Sequence, residues 1–87
     1  MKERFDEIRV LITENDEAIV ASVNRRLELV AELWGLKAKL GLDTVDPDRE
    51  RRLREGLAAA NDGRLSPAGL ERLVTELLEL TKRELGA

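Results

Sequence analysis

FDEIRVLITENDEAIVASVNRRLELVAELWGLKAKL, residues 5–40, reads as one unbroken amphipathic helix. Apolar side chains recur at Phe5, Ile8, Leu11, Ile12, Ile19, Val23, Leu27, Val30, Leu33 and Leu40, mostly three or four apart, which is the helical period. Proline is absent, and the only glycine, Gly35, costs about 1 kcal/mol relative to alanine. A helix of this length runs about 54 Å. A compact chain of 87 residues has an expected radius of gyration of about 12 Å, hence a diameter near 30 Å. The helix is too long for a monomeric globule. Most of its apolar stripe needs cover from a second copy of the chain or from another partner.

Charge interrupts the stripe in an informative way. Arg26 and Lys37 lie eleven residues apart, three helical turns, which puts them within about 20° of each other on one face. Arg9 precedes Arg26 by seventeen residues and is rotated by about 100° from it. Within one chain, Arg9 therefore points away from whatever Arg26 and Lys37 share. In an antiparallel or crossing dimer it is free to point into the other chain's site instead.

Composition narrows the class. Apolar residues make up 43% of the chain, charged residues 38% and aromatic residues 2%, the profile of a helical bundle rather than of a sheet or a disordered tail. A net charge of −3 argues against nucleic acid as the main partner. The absence of cysteine and histidine removes disulfides, thiol nucleophiles, the usual zinc sites and histidine acid–base chemistry. No apolar run approaches a membrane span, and Met1-Lys2-Glu3-Arg4-Phe5-Asp6 lacks a signal-peptide core, so the expected setting is the cytoplasm, away from membranes.

Past the long helix, Gly41 is placed to cap its C-terminus, and Gly41-Leu42-Asp43-Thr44-Val45 forms a loop. Asp46-Pro47 is a helix start, with Asp46 as N-cap and Pro47 at the first position. The second helix carries Leu53, Leu57 and Ala60 on one face and stops at Asn61-Asp62-Gly63. Ser66-Pro67 repeats the cap-plus-proline start, and Leu70, Leu73, Val74, Leu77, Leu78, Thr81 and Leu85 form the third helix's inner face. The expected fold is all-α: three helices, one long, one short and one medium, in a single domain over residues 1–87. Two such chains forming an intertwined helical homodimer solve the burial problem, because helices of about 22 and 28 Å cannot each cover the long stripe.

Arg9, Arg26, Lys37, Asp46, Arg49 and Glu50 fall on or beside inner faces. Each alone reads as a solvated charge or a local ion pair, and Asp46 is already explained as a cap. Arg26 is harder to dismiss, since it interrupts the apolar run between Val23 and Val30, and buried charges persist when they are paired or bind something. Converging cations suit a dianionic small molecule, with guanidinium forks for carboxylates and a lysine as a point charge.

Asp6-Glu7-Ile8-Arg9, then Asp16, Arg26, Lys37 and the Asp46-x-x-Arg49-Glu50 box, resembles the all-helical class of chorismate mutase over nearly the whole chain. The resemblance implies an intertwined dimer with two active sites and a concerted rearrangement of chorismate to prephenate, with no cofactor, no metal and no covalent intermediate. It also implies roles: Arg26 and the second chain's Arg9 hold the two carboxylates, and Lys37 hydrogen-bonds the ether oxygen as the carbon–oxygen bond breaks. Glu50, with Asp46 and Arg49, contacts the ring hydroxyl.

The third helix departs from the family pattern, which places a serine there and a glutamine or glutamate one turn later. Thr81 fits the hydroxyl position. Four residues on stands Leu85, and three on stands Glu84, within reach of the same face. Glu84 would have to be protonated to donate to the ether oxygen, favouring activity at lower pH. Leu85 in that position would leave the hydrogen bond unmade and the enzyme slow. Beside a plain structural helical dimer, two rival readings remain open. One is a lyase for isochorismate or a mutase for the amino analogue of chorismate on the same scaffold. The other is a weakly active helical partner or regulator, in complex with another shikimate-pathway enzyme.

Overall fold

The structure, a computed structural model, describes residues 1–86 and consists of α1 (Lys2–Leu40), α2 (Pro47–Ala60) and α3 (Pro67–Leu85). α1 begins three residues before the expected Phe5, because Lys2, Glu3 and Arg4 already take helical geometry. The Phe5 amide donates to the Met1 carbonyl at 3.1 Å, and Arg4 pairs with Glu7 at 3.3 Å, one turn on. At the other end Gly41 takes a left-handed conformation, φ 70°, open to a residue with no Cβ. The Gly41 and Leu42 amides fold back to the carbonyls of Ala38 and Lys37 and satisfy the last turn.

The two short helices start as their sequence signals dictate. The Asp46 carboxylate accepts from the Arg49 amide at 3.1 Å, and the Ser66 hydroxyl accepts from the Gly69 amide at 3.0 Å. Proline follows each cap, where its missing N–H is no loss. The Asn61 side chain ends α2's turn by donating to the Leu65 carbonyl at 2.8 Å, which fixes the entry into α3.

α3 is the hub, packing against α1 on one side and α2 on the other. Val74, 2% exposed, and Thr81, 4% exposed, sit at its centre. Toward α2 it presents Glu71, Thr75 and Lys82, a row at helical spacing. Arg54 of α2 donates to Glu71 and to Thr75, and Glu50, one turn before Arg54, pairs with Lys82. That pairing order makes α2 and α3 antiparallel. Two expected inner-face residues lie elsewhere: Leu73 is 55% exposed and Ala60 is also exposed. Leu73 sits about 90° around α3 from Thr81 and Val74, on the flank away from α2, where no helix of this chain reaches.

α1 makes the molecule long. The chain measures 59 × 24 × 18 Å with a radius of gyration of 16.6 Å, well above the compact expectation. Only Val23, Leu27, Val30 and Trp34 among α1's apolar residues are half-buried. Phe5, Ile8, Leu11, Ile12 and Ile19 stand exposed along its N-terminal half. Covering what remains exposed of each contributes on the order of 1 kcal/mol, about half of what full burial contributes. Among the described residues no helix is long and apolar enough to cross a membrane.

The Ser66 cap is remote from the charged cluster and isolates a purely local contribution. Ser66→Ala is expected to lower stability by about 1 kcal/mol with activity unchanged, read by urea unfolding at fixed chain concentration.

Candidate active site

Because α3 lies between them, α1 and α2 splay apart, and the space they leave is a cavity of about 550 Å³. Its size is that of a small-molecule site. Leu29, Val30, Leu33 and Trp34 of α1 supply one apolar wall, and Leu53 and Leu78 supply the other. Arg26 and Lys37 enter on the same face of α1, as their spacing requires. Asp46, Arg49 and Glu50 enter from the first turn of α2, and Thr81 and Lys82 from α3. The loop contributes Thr44 and Val45. With four cations (Arg26, Lys37, Arg49, Lys82) against two carboxylates (Asp46, Glu50), the lining carries a net formal charge of +2.

Arg26 is the best-fixed of these groups. Its Nη1 donates to the Thr81 hydroxyl at 2.6 Å, and that hydroxyl donates to the Leu77 carbonyl at 2.7 Å. The relay commits the threonine proton to the backbone and leaves its lone pair for the guanidinium. Burial first, and then the like charge of Arg49, lower the pKa of Arg26 from its ordinary value. Both causes penalise the charged form. Among the described residues no carboxylate pairs with Arg26, Lys37 or Arg49. Lys37 donates to the Thr44 carbonyl at 3.4 Å, a long contact that yields readily to a better acceptor. The cavity is therefore apolar-walled, with Arg26 held in place and none of Arg26, Lys37 and Arg49 neutralised by a carboxylate.

Six of the residues singled out from the sequence line this cavity together: Arg26, Lys37, Asp46, Arg49, Glu50 and Thr81. Three do not. Arg9 lies about 26 Å along α1 from Arg26, its guanidinium stacked on the Phe5 ring with 4.6 Å to the centroid. Glu84 is exposed and Leu85 half-buried, and neither is on the cavity wall. Lys82 and Trp34 line the cavity without having been singled out. For Lys82 the usable signal is its position four and seven residues past Leu78 and Thr75, on the flank of α3 that meets α2.

Apolar walls around a net positive lining, in a chain without histidine or cysteine, suit a class of catalyst that binds a small dianion and works by orientation and electrostatics. Within that class, the chain belongs to the chorismate mutase type II family, whose family model matches residues 8–84. It is thus an enzyme of that family, and membership implies conversion of chorismate to prephenate. Searches of curated proteins and of solved structures returned no significant match.

Burial and Arg49 both disfavour the charged Arg26, and a carboxylate ligand would relieve that cost, so ligand binding and stability are linked. Prephenate at 100 times its dissociation constant is expected to stabilise the fold by about 2.7 kcal/mol, seen as a higher thermal midpoint. Arg26→Met should lose most of that gain, yet melt no lower than the parent when unliganded. A lower unliganded midpoint would mean that the hydrogen bond to Thr81 outweighs the burial cost.

Proposed function

We propose that the chain acts as a homodimeric chorismate mutase, a single helical domain over residues 1–87, with each cavity completed by Arg9 of the second chain. The observation that carries the reading is the convergence of Arg26, Lys37, Asp46, Arg49, Glu50 and Thr81 on one cavity, inside the family match. The bare apolar stripe from Phe5 to Ile19 supports a second copy as its cover, since it adjoins the same helix face that bears Arg26. Arg9, remote from its own cavity, supports a site shared between chains.

In this reading Arg26 holds one substrate carboxylate with its fork, steadied by Thr81, and Arg9 of the second chain holds the other. Clamping both carboxylates favours the compact conformer in which the new carbon–carbon bond can form. As the ether carbon–oxygen bond breaks, negative charge grows on the oxygen. Lys37 exchanges its weak contact with Thr44 for that oxygen and stabilises the charge. Glu50 accepts from the ring hydroxyl, with Asp46 and Arg49 fixing the helix start beside it. Glu84 and Leu85 stand off the cavity wall, so the ether oxygen relies on Lys37 in place of two donors. Leu85 leaves the fold without the second contact, and a modest turnover is expected.

Arg26→Ala tests the site: kcat/KM should fall at least about 10²-fold, roughly 3 kcal/mol, with helicity retained. Near-normal activity would remove Arg26 from the substrate. Assays with isochorismate and with aminodeoxychorismate, run beside chorismate, separate the mutase from enzymes of related substrate range.

The shared site has its own test. Arg9→Ala and Arg26→Ala proteins, each nearly inactive, are mixed and allowed to exchange subunits. A mixed dimer then holds one site with both lesions and one with neither, so activity should return toward half of the parent's per mixed dimer. If Arg9 serves its own chain's cavity, every site keeps a lesion and activity stays low. Exchange is verified by mass spectrometry.

A further inference from the structure

We propose that Lys82 is a positioning residue for Glu50, and that it neutralises this carboxylate so that a dianionic substrate can share the cavity with it. The inference rests on the cavity being the chorismate site. Lys82 follows Thr81 in α3 and lines the cavity, and its Nζ lies 3.8 Å from Glu50 Oε1. That distance is an ion pair without a hydrogen bond, and both side chains are part-exposed, 44% and 34%. The pair is the last rung of the polar ladder between α2 and α3, in which Arg54 engages Glu71 and Thr75. The Arg54 rung lies outside the cavity lining, and the Lys82 rung opens into it.

The charges explain why that rung matters. Asp46 is committed to the N-terminus of α2, where its carboxylate accepts from the Arg49 amide. Glu50 has no such commitment, and Lys82 is its one ion-pair partner among the described residues. Without Lys82, a free carboxylate would face two incoming carboxylates across an apolar cage, where like charges repel more strongly than in water. With it, the α2–α3 side of the cavity is neutral around Glu50, and Arg26, Lys37 and Arg49 keep their charge for the ligand. The loose 3.8 Å geometry also leaves the Glu50 oxygens free to accept from a ring hydroxyl. Lys82 thus acts mainly on binding.

The experiment is steady-state kinetics on Lys82→Met, Lys82→Arg, Glu50→Gln and the Lys82→Met/Glu50→Gln double variant, with Arg26→Ala alongside. Lys82→Met is expected to raise KM for chorismate about tenfold while kcat falls less than about threefold, and Lys82→Arg should restore KM to near the parent's. In the Glu50→Gln background, where only the direct attraction of Lys82 for the dianion is left to lose, Lys82→Met should raise KM clearly less than it does beside the charged Glu50. An unchanged KM in Lys82→Met, or the same rise with and without the Glu50 charge, overturns the proposal while Arg26→Ala still abolishes activity. A normal Arg26→Ala enzyme overturns the placement of the site itself. Because Lys82 is part-exposed, the variants should fold, and circular dichroism on each one checks this.

Discussion

A 39-residue helix joined to helices of 14 and 19 residues cannot bury its apolar stripe within one chain. The rest of the structure follows from how that mismatch is distributed. α2 and α3 are both stationed at the C-terminal half of α1, where Val23, Leu27, Val30 and Trp34 find partial cover. They cannot slide toward the N-terminal half, because the loop of residues 41–46 between α1 and α2 is short. One half of α1 is therefore a wall of the cavity and the other half is bare. Apolar exposure on that scale is what the proposed second copy would cover. In the proposed dimer, the second copy that covers it lays its own α1, and with it its own Arg9, along the first chain's surface. Burial and completion of the site become one event, so the proposed enzyme has no active form that is not also assembled.

α3 does a different job from that of a plain cover. By lying between α1 and α2 it keeps them from closing on each other. Its two faces are chemically distinct: Val74 and Leu77 give an apolar seat, while Glu71, Thr75 and Lys82 form a polar flank that registers α2. Polar ladders of part-exposed groups add little stability. Their use here is geometric, since a one-turn slip of α2 would break the Arg54 and Glu50 rungs together and move the cap at Asp46 away from the cavity mouth.

The parts of this arrangement legible from the sequence are those set by local chemistry. Asp46-Pro47, Ser66-Pro67 and Gly41 mark helix ends because caps, a fixed proline φ and a left-handed glycine act within a few residues. The Arg26–Lys37 alignment is equally local, a matter of turns along one helix. What depends on how helices meet was harder. Leu73 satisfies the inner-face period of α3 as well as Leu77 does, and only the positions of α1 and α2 leave the one exposed and the other half-buried. Lys82, flanked by Arg83 and Glu84, looks like surface charge, and it enters the cavity only because Glu50 stands opposite. The role of Arg54 was hidden for the same reason. Arg9 is the limiting case, as its angle was readable but its destination lies outside the single chain.

The cavity's charges divide into two kinds once the reaction is considered. Chorismate keeps both carboxylates from ground state to transition state, so a clamp that grips them grips both states nearly equally and acts chiefly on binding. In the proposed site, Arg26 and the second chain's Arg9 would raise the rate only to the extent that holding the two carboxylates at a set separation selects the compact conformer. The ether oxygen is different, because its charge exists only as the bond breaks. A donor aimed there contributes to the transition state alone, and Lys37 is the group that can be, its present contact to Thr44 being long at 3.4 Å. With Glu84 and Leu85 off the wall, that contribution is not doubled by α3. The proposed catalyst is accordingly strong in binding and lean in transition-state contacts, with turnover resting on Lys37 and the shape of the cage.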